Sequence, residues 1–173
     1  IAELDQLVDE ILLASRLDAR EADVGTVELV DLIGLAAEEC ARVDAELDVT
    51  AVPEGLEVRG VAKLLRRALR NLLENARRYS QGDITVVLQR HDGQAQLSVL
   101  DRGPGVPPAL RERIFEPFYR LPGASERAGG VGLGLALVRS IAQRHNGSVR
   151  CEDQPDGSGG ACFVLRLPLA LTK

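Results

Sequence analysis

The segment that most restricts the fold of this chain runs from residue 61 to residue 79. It contains no glycine or proline, and its apolar residues recur at steps of three and four. This is the spacing of one face of an amphipathic helix. The face consists of Leu64, Leu65, Ala68, Leu72 and Ala76. The segment therefore predicts a long helix that is buried along one side.

A β-hairpin is predicted directly after this helix. Residues 84–88 and 95–99 alternate between apolar and polar, and Asp92-Gly93 between them is a typical hairpin turn. Asp101 lies two residues beyond Val99, so it falls on the same inward face of the second strand. A buried carboxylate is costly without a partner, and an inward one can accept a hydrogen bond from an exocyclic amine such as that of adenine.

Shorter elements are predicted on both sides of the hairpin. Three further helices are indicated by apolar spacing over residues 1–17, 31–47 and 132–146. Short strands are expected over residues 26–30, at two places within 47–60, and near 148–153 and 160–167. The first helix fits either a helical bundle or a terminal helix packed on its own domain, because only about two heptads are visible.

Residues 102–131 are predicted to form an irregular segment. Five of the chain's eight prolines fall in residues 104–122, and seven of its 17 glycines fall in residues 103–134. Three of the five aromatic residues, Phe115, Phe118 and Tyr119, also fall here. A loop of this length inside a compact domain is usually functional.

Composition excludes several classes of function. The net charge of −5 argues against nucleic acid as the main partner. No apolar run reaches the roughly 18 residues of a membrane span. The three cysteines lack metal-site spacing and suit a reducing compartment. The chain begins at Ile1 without a methionine, so we expect it to be a fragment of a longer protein.

Four polar residues share one stripe of the long helix. Asn71, Asn75, Arg78 and Tyr79 are separated by four, three and one residues. Amide oxygens can ligate Mg²⁺, a guanidinium can bind phosphate, and a tyrosine can stack on a base. A solvated helix face with incidental polar residues is the alternative.

Two glycine-containing segments could approach a ligand closely. Residues 101–105 place Gly103 and Gly105 after the inward Asp101, although a simple strand-ending turn has the same composition. Residues 129–134 precede a predicted helix, whose free N–H groups could bind an anion. This turn lacks the Lys-Ser/Thr of a P-loop and follows a loop, so neither common phosphate fingerprint applies; a flexible hinge is the alternative.

Together these segments resemble the catalytic ATP-binding domain of bacterial sensor histidine kinases, in the wider group with gyrase, Hsp90 and MutL ATPase domains. The resemblance covers about residues 26–168. Residues 71–79 resemble the N box of that family, 101–106 its first glycine box, 114–120 its F box and 130–137 its second glycine box.

The resemblance implies a fold and a domain division. The expected fold is an α/β two-layer sandwich, in which three helices cover one face of a mixed β-sheet, with an additional N-terminal helix. Residues 1–20 resemble the end of the second helix of the family's dimerisation and phosphoacceptor hairpin. Residues 21–25 would be a linker and residues 26–173 the catalytic domain, with an ATP lid at about 102–131.

The resemblance also implies roles for individual residues. Asn75 would be the principal Mg²⁺ ligand, helped by Asn71. The phosphates would meet Arg78, and the adenine would meet Tyr79 and Asp101. Gly103 and Gly105 would shape the adenine pocket, and Phe115 and Phe118 would anchor the lid. Arg120 would reach phosphate or the phosphoacceptor domain. The phosphate turn would be formed by Gly130, Val131, Gly132, Leu133 and Gly134.

Catalysis would depend on Asn75, Arg78 and Arg120. Two positions depart from the family pattern, since lysine is common where Arg78 stands and threonine or serine where Val131 stands. Arginine keeps the charge but changes the geometry, and valine cannot donate a side-chain hydrogen bond. The backbone would then have to bind the phosphates at that turn.

The implied activity is transfer of the γ-phosphate of ATP to a histidine on a phosphoacceptor helix, for relay to a response regulator in two-component signalling. The full-length protein would be a homodimer, and this part would be the cytoplasmic portion of an inner-membrane sensor, without membrane contact of its own. Neither histidine has the phosphoacceptor context: we expect His91 to be exposed and His145 to suit the dipole at a helix C-terminus.

Two other functions remain open. An ATP hydrolase of the gyrase or Hsp90 kind carries a water-activating glutamate one helical turn before the Mg²⁺ asparagine, where this chain has Asn71. Glu74 is adjacent to Asn75 and points about 100° away from it on an ideal helix. A nucleotide-binding module without catalysis is the second alternative.

Overall fold

The structure is a computed structural model. It describes residues 2–18, 25–80, 82–119, 133–155, 157 and 159–170. The four helices within these ranges are α1 (Ala2–Asp18), α2 (Leu32–Val43), α3 (Ala62–Tyr79) and α4 (Gly134–Arg144). The strands are β1 (Glu28–Asp31), β2 (Glu46–Asp48), β3 (Glu57–Gly60), β4 (Thr85–His91), β5 (Gln94–Leu100), β6 (Ser148–Asp153) and β7 (Ala161–Pro168).

Five of the strands form a mixed sheet in the order β2-β4-β5-β7-β6. β2 runs parallel to β4, and the other neighbours are antiparallel. The predicted hairpin is β4 and β5, with Val86 opposite Val99 and Leu88 opposite Leu97. β1 and β3 form a separate antiparallel pair.

Three helices, α2, α3 and α4, cover one face of the sheet. The apolar face predicted for residues 61–79 is the buried face of α3, and Leu64, Leu72 and Ala76 are all inside the core. From the sheet, Val86, Leu88, Leu97 and Phe163 meet these helices in one continuous core. The predicted α/β sandwich is confirmed.

The helix boundary that differs most from the prediction is the end of α2. Helix α2 ends at Val43 and not at residue 47, because Asp44 takes a left-handed conformation with φ 56°. Its N–H caps the helix by bonding to the Cys40 carbonyl, and β2 then begins at Glu46. Helix α4 begins at Gly134; residue 132, where the prediction began, lies outside the described residues.

The segment predicted to be irregular contains two short 3-10 turns, Pro108–Leu110 and Arg113–Phe115. Its residues 120–131 lie outside the described part of the chain, as do residues 21–24 of the predicted linker. The division into domains therefore stays a prediction.

Helix α1 is buried on one side only. Leu17 is buried, and Leu13 and Ala14 pack against the core of the domain. Four of its apolar side chains, Leu4, Val8, Ile11 and Leu12, are 44–57% exposed. The helix therefore packs on the domain and still presents an apolar face. No helix in the described ranges is long and apolar enough to span a membrane.

All three cysteines are free and buried in the core. Burial raises the pKa of the Cys40 and Cys162 thiols to about 11 and that of Cys151 to about 12. Thiols with such pKa values are poor nucleophiles near neutral pH, so these cysteines serve as packing residues.

Candidate functional site

A cavity opens where the C-terminal half of α3 meets the ends of β5 and β7. Its walls come from five separate parts of the chain. The lining residues are Asn75, Tyr79, Asp101, Pro104, Gly105, Val106, Ile114, Tyr119, Leu135, Ala161 and Phe163. Most are apolar, with a carboxylate, an amide and two phenols as the polar groups, a composition typical of small-molecule sites.

Asp101 is the buried acid of this cavity. It directly follows β5 and is only 3% exposed. Its Oδ1 accepts hydrogen bonds from the N–H groups of Gly103 (2.9 Å) and Ala161 (3.2 Å). Burial raises the pKa of the carboxyl group, although both bonds oppose this shift. The predicted inward orientation is thus confirmed, and both of these bonds are accepted by the same oxygen, Oδ1.

Both predicted glycines of the segment after β5 are required by close backbone contacts. A Cβ on Gly103 would lie 2.3 Å from the Tyr79 carbonyl oxygen. Gly105 has φ +76°, and a Cβ there would lie 2.6 Å from the Gly159 carbonyl oxygen. Gly105 lines the cavity, whereas Gly103 lets the segment lie against the end of α3.

The polar stripe of α3 is divided between two surfaces. Asn75 and Tyr79 line the cavity, as the sequence predicted for a ligand-binding face. Asn71 lies outside it, and its Nδ2 donates a 3.2 Å hydrogen bond to the carbonyl of Gly134. Arg78 is exposed and also outside the lining.

The aromatic residues of the irregular segment have different environments. Phe115 is buried and meets Phe163 edge to face, with ring centroids 6.2 Å apart and an interplanar angle of 79°. Phe118 is 61% exposed and has φ 66°, which is unusual for a bulky residue. Phe118 therefore lies outside the core that holds Phe115, and its predicted roles in anchoring the lid and contacting nucleotide stay predictions.

Several lining residues were absent from the sites predicted from sequence. Tyr119 lines the cavity. The guanidinium group of Arg113 lies over its ring, 4.9 Å from the ring centroid. The sequence has a cluster of aromatic residues at 115–119, but that pattern does not show which of them lines a cavity and which is buried or exposed. The others missed are Pro104, Val106, Ile114, Leu135, Ala161 and Phe163. They are apolar and give no local signal that distinguishes a cavity wall from a core.

The start of α4 contributes two predicted residues. The side chain of Leu133 is buried and belongs to the core. Its backbone carbonyl accepts the N–H of Leu137 at the start of α4. Gly134 is held by Asn71. The remaining members of the predicted turn, Gly130, Val131 and Gly132, lie outside the described residues, and so does Arg120.

A second, open cleft lies between α1 and the N-terminal half of α3. Six cationic side chains line it: Arg16, Arg42, Lys63, Arg66, Arg67 and Arg70. Asn71, Glu74, Asp9 and three leucines complete its walls. We call this surface the basic cleft.

The carboxylate of Glu39 joins three of these arginines. Arg70 donates two bonds to it (2.8 and 3.0 Å), and Arg66 (3.1 Å) and Arg42 (3.2 Å) donate one each. Glu39 is 1% exposed, yet the arginines, Arg70 foremost, lower its pKa to about 2. These ion pairs, which share the buried carboxylate of Glu39, connect α2 to α3.

The two histidines lie apart from both surfaces. His91 is exposed beside the β4–β5 turn, as expected. The Nε2 of His145 accepts the Val61 N–H at 3.1 Å, and its Nδ1 lies 2.7 Å from the Ile141 carbonyl. An imidazole that accepts at one nitrogen is neutral, and burial lowers its pKa. His145 stands at the C-terminus of α4, as expected, but it meets the helix end as a neutral ring beside the Ile141 carbonyl and not through a positive charge.

Comparison with known proteins agrees with this arrangement. Residues 60–171 match the family described as histidine kinase-, DNA gyrase B- and HSP90-like ATPase. The sensor-like histidine kinase SenX3 of Mycolicibacterium smegmatis is 36% identical over 95% of this chain and 44% of its own length. The sensor histidine kinase CpxA of Escherichia coli is 38% identical over 96% of this chain and 37% of its own. The chain thus spans less than half of these relatives.

Solved structures show the same fold. The mycobacterial sensor histidine kinase MprB superposes with a TM-score of 0.72 at 32% identity, covering 85% of this chain and all of the other. The ATP-binding domain of PrrB from Mycobacterium tuberculosis gives 0.65 at 30% identity, covering 84% of this chain and 98% of the other. Full-length ShkA in complex with AMPPNP gives 0.78 at 27% identity, covering 98% and 36%. The chain therefore belongs to the histidine kinase-, DNA gyrase B- and HSP90-like ATPase family, as a histidine kinase ATP-binding catalytic domain.

Proposed function

We propose that this domain holds Mg·ATP in the cavity beside Asp101 and transfers the γ-phosphate to a histidine on a phosphoacceptor helix, for relay to a response regulator. The observation that supports this proposal best is the convergence of Asn75, Tyr79 and Asp101 on one cavity. These residues come from two segments that the fold brings together, and each suits a different part of a nucleotide.

The base would occupy the apolar part of the cavity. The Oδ1 of Asp101 is held by two backbone N–H groups, so Oδ2 can accept a hydrogen bond from the exocyclic amine of adenine. Guanine carries a carbonyl at that position, which would repel the carboxylate. The rings of Tyr79 and Tyr119 and the side chain of Leu135 provide the surrounding contacts.

The phosphates would extend along α3 towards its N-terminus. Asn75 lies one helical turn before Tyr79, about 6 Å along the axis, and its amide lines the same cavity. An amide oxygen together with phosphate oxygens and waters suits Mg²⁺, which when bound offsets the charge of the phosphates. This end of the site would be completed by Asn71, Arg78 and Arg120 and by the turn formed by Gly130, Val131 and Gly132.

The transfer itself needs positioning more than covalent chemistry from the protein. A nitrogen of the incoming histidine attacks the γ-phosphorus. An N–P bond forms as the bond from phosphorus to the β–γ bridging oxygen breaks, and ADP leaves. The histidine loses its N–H proton to a base or to solvent. Charge on the transferred phosphoryl group would be balanced by Arg78 and Arg120.

We propose that the phosphoacceptor helix approaches the N-terminal half of α3. The basic cleft lies there, next to Asn71 and bounded by α1. Helix α1 resembles the second helix of the phosphoacceptor hairpin, and its exposed apolar face suits a homodimeric bundle. In the full-length protein this would be the cytoplasmic portion of a membrane sensor.

Hydrolysis of ATP by water is less well supported. The acid nearest to Asn75 in sequence is Glu74, which lines the basic cleft and is not among the cavity residues. Asn71 occupies the position one turn earlier, and an amide is not a general base. A carboxylate suited to activating water is therefore missing from the described part of this helix.

The test is phosphoryl transfer to a supplied phosphoacceptor bundle of the same protein. The domain is incubated with Mg²⁺ and ATP labelled at the γ-phosphate, and label that is acid-labile and base-stable on the bundle is measured. We expect labelling that requires the bundle histidine and is lost with chelator. Rapid release of phosphate without labelling would favour the hydrolase, and tight ATP binding with neither activity would favour a binding module.

A further inference from the structure

Gln154 is a buried polar residue outside the site predicted from the sequence. It directly follows β6 and is 8% exposed. Its Nε2 donates a 2.6 Å hydrogen bond to the backbone carbonyl of Asp101 and lies 3.5 Å from that of Ala161. The side chain thus spans the ends of β5 and β7, under the floor of the cavity.

The two carbonyls belong to the residues that fix the Asp101 carboxylate. The Ala161 N–H donates to Asp101 Oδ1, and the Asp101 N–H donates to the Ala161 carbonyl at 3.1 Å. Gln154 therefore contacts the main chain of both Asp101 and Ala161, the two residues that these bonds already join. Any shift of the Asp101 main chain would also move its carboxylate.

The surrounding backbone leaves little room for a substitute partner. A Cβ on Gly160 would lie 1.9 Å from the Asp101 carbonyl oxygen. The turn after β6 is therefore pressed directly against Asp101. A buried carbonyl that loses its donor in such a place must go unpaired or move towards water, and both are costly.

We propose that Gln154 is a positioning residue for base selection: it holds the Asp101 main chain so that the carboxylate meets the exocyclic amine of adenine. This inference rests on the proposed function, in which Asp101 is the adenine acceptor. A purely structural glutamine would affect all nucleotides equally, whereas a positioning residue affects the discrimination between adenine and guanine.

The test replaces the donor without changing the side-chain length. Gln154→Met keeps a chain that is three atoms long beyond Cβ, without the branching amide oxygen. Its terminal methyl group cannot donate a hydrogen bond. Calorimetric titration with Mg·ATP and with Mg·GTP gives the ratio of the two affinities. We expect the ratio to fall roughly tenfold, the effect of weakening one hydrogen bond to a charged group. The tightening of ATP binding by Mg²⁺ should remain.

Gln143→Met, at an exposed position of α4, is the matched control and should leave the ratio unchanged. If Gln154→Met does not fold, the shorter amide of Gln154→Asn gives the same comparison with an intermediate fall. Equal weakening of both nucleotides, or no change, would overturn the inference. Absence of discrimination in the unaltered domain would instead overturn the proposed adenine site itself.

Discussion

The Nδ2 of Asn71 donates a 3.2 Å hydrogen bond to the carbonyl of Gly134 and so joins α3 to the first residue of α4. The residues that precede Gly134 form the glycine-rich segment proposed to bind phosphate. An asparagine predicted as a secondary metal ligand therefore also fixes the helix that follows this segment. Its Oδ1 is the atom left for a metal, so the two roles are compatible and can be separated by mutation.

Asn71→Ala should lower the free energy of unfolding by about 1 kcal/mol, because a partly buried hydrogen bond is lost. Asn71→Asp should cost at least as much, since a carboxylate cannot donate to the Gly134 carbonyl although it keeps an oxygen for a metal. Urea unfolding of both variants measures this. Unchanged stability in both would contradict a connecting role for Asn71.

Asn75→Ala should abolish the tightening of ATP binding by Mg²⁺ while leaving the fold intact. Asn75 lines the cavity and is proposed as the principal metal ligand, and alanine is compatible with its helical position. Calorimetry with and without Mg²⁺ measures the effect, and circular dichroism checks the fold. If Mg²⁺ still tightens binding in this variant, another residue is the principal ligand.

Asp101→Asn should reduce the preference for ATP over GTP by about tenfold or more, because a charged acceptor becomes a group that also donates. The amide oxygen can still accept from Gly103 and Ala161, so the local fold should persist. Competitive calorimetry with the two nucleotides measures the preference. Asp83→Asn, at an exposed position, is the control and should change nothing. An undiminished preference would remove Asp101 from the adenine site.

The same variant should change how stability depends on pH. Burial raises the pKa of Asp101 in the folded state. Between the ordinary carboxyl pKa and this raised value, the folded state binds a proton that the unfolded state has lost, so stability falls as pH rises. The stability of Asp101→Asn relative to the unaltered domain should therefore increase with pH across that window. A constant difference in urea unfolding would contradict the raised pKa.

Glu39→Gln should lower the free energy of unfolding at neutral pH by about 1–3 kcal/mol, because three partly exposed arginines lose the carboxylate they share and keep only a neutral amide oxygen as acceptor. The folded-state pKa of Glu39 is lowered from 4.5 to about 2. Its contribution is present above pH 4.5 and is lost as pH falls towards 2, so the difference between the two proteins should disappear over that range.

Glu38→Gln is the matched control for the Glu39 experiment. Glu38 also pairs with Arg66, at 2.7 Å, but its side chain is 65% exposed. An exposed ion pair contributes less than about 1 kcal/mol. Equal effects of the two substitutions on urea unfolding would show that the buried cluster has no special role.

The local patterns of the sequence determined much of this domain. The apolar spacing of α3, the alternation in β4 and β5 and the Asp92-Gly93 turn each depend on residues close in the chain. The inward orientation of Asp101 followed from the two-residue period of β5, and the confirmed fold class followed from the resemblance carried by four short segments. Where a strong local signal was absent, as at the end of α2, the predicted boundary was wrong by four residues.

Only the tertiary structure decided which side chains share a partner. Gln154 meets Asp101 across 53 residues of chain, and Glu39 meets Arg70 across 31. The His145 ring is neutral because it accepts the N–H of Val61, 84 residues away. A residue's period along a helix or strand gives the direction of its side chain, but hydrogen bonding and burial depend on what the rest of the fold places there. For that reason the sequence indicated the segments of the proposed nucleotide site, and the packing of distant segments determined how its residues are held.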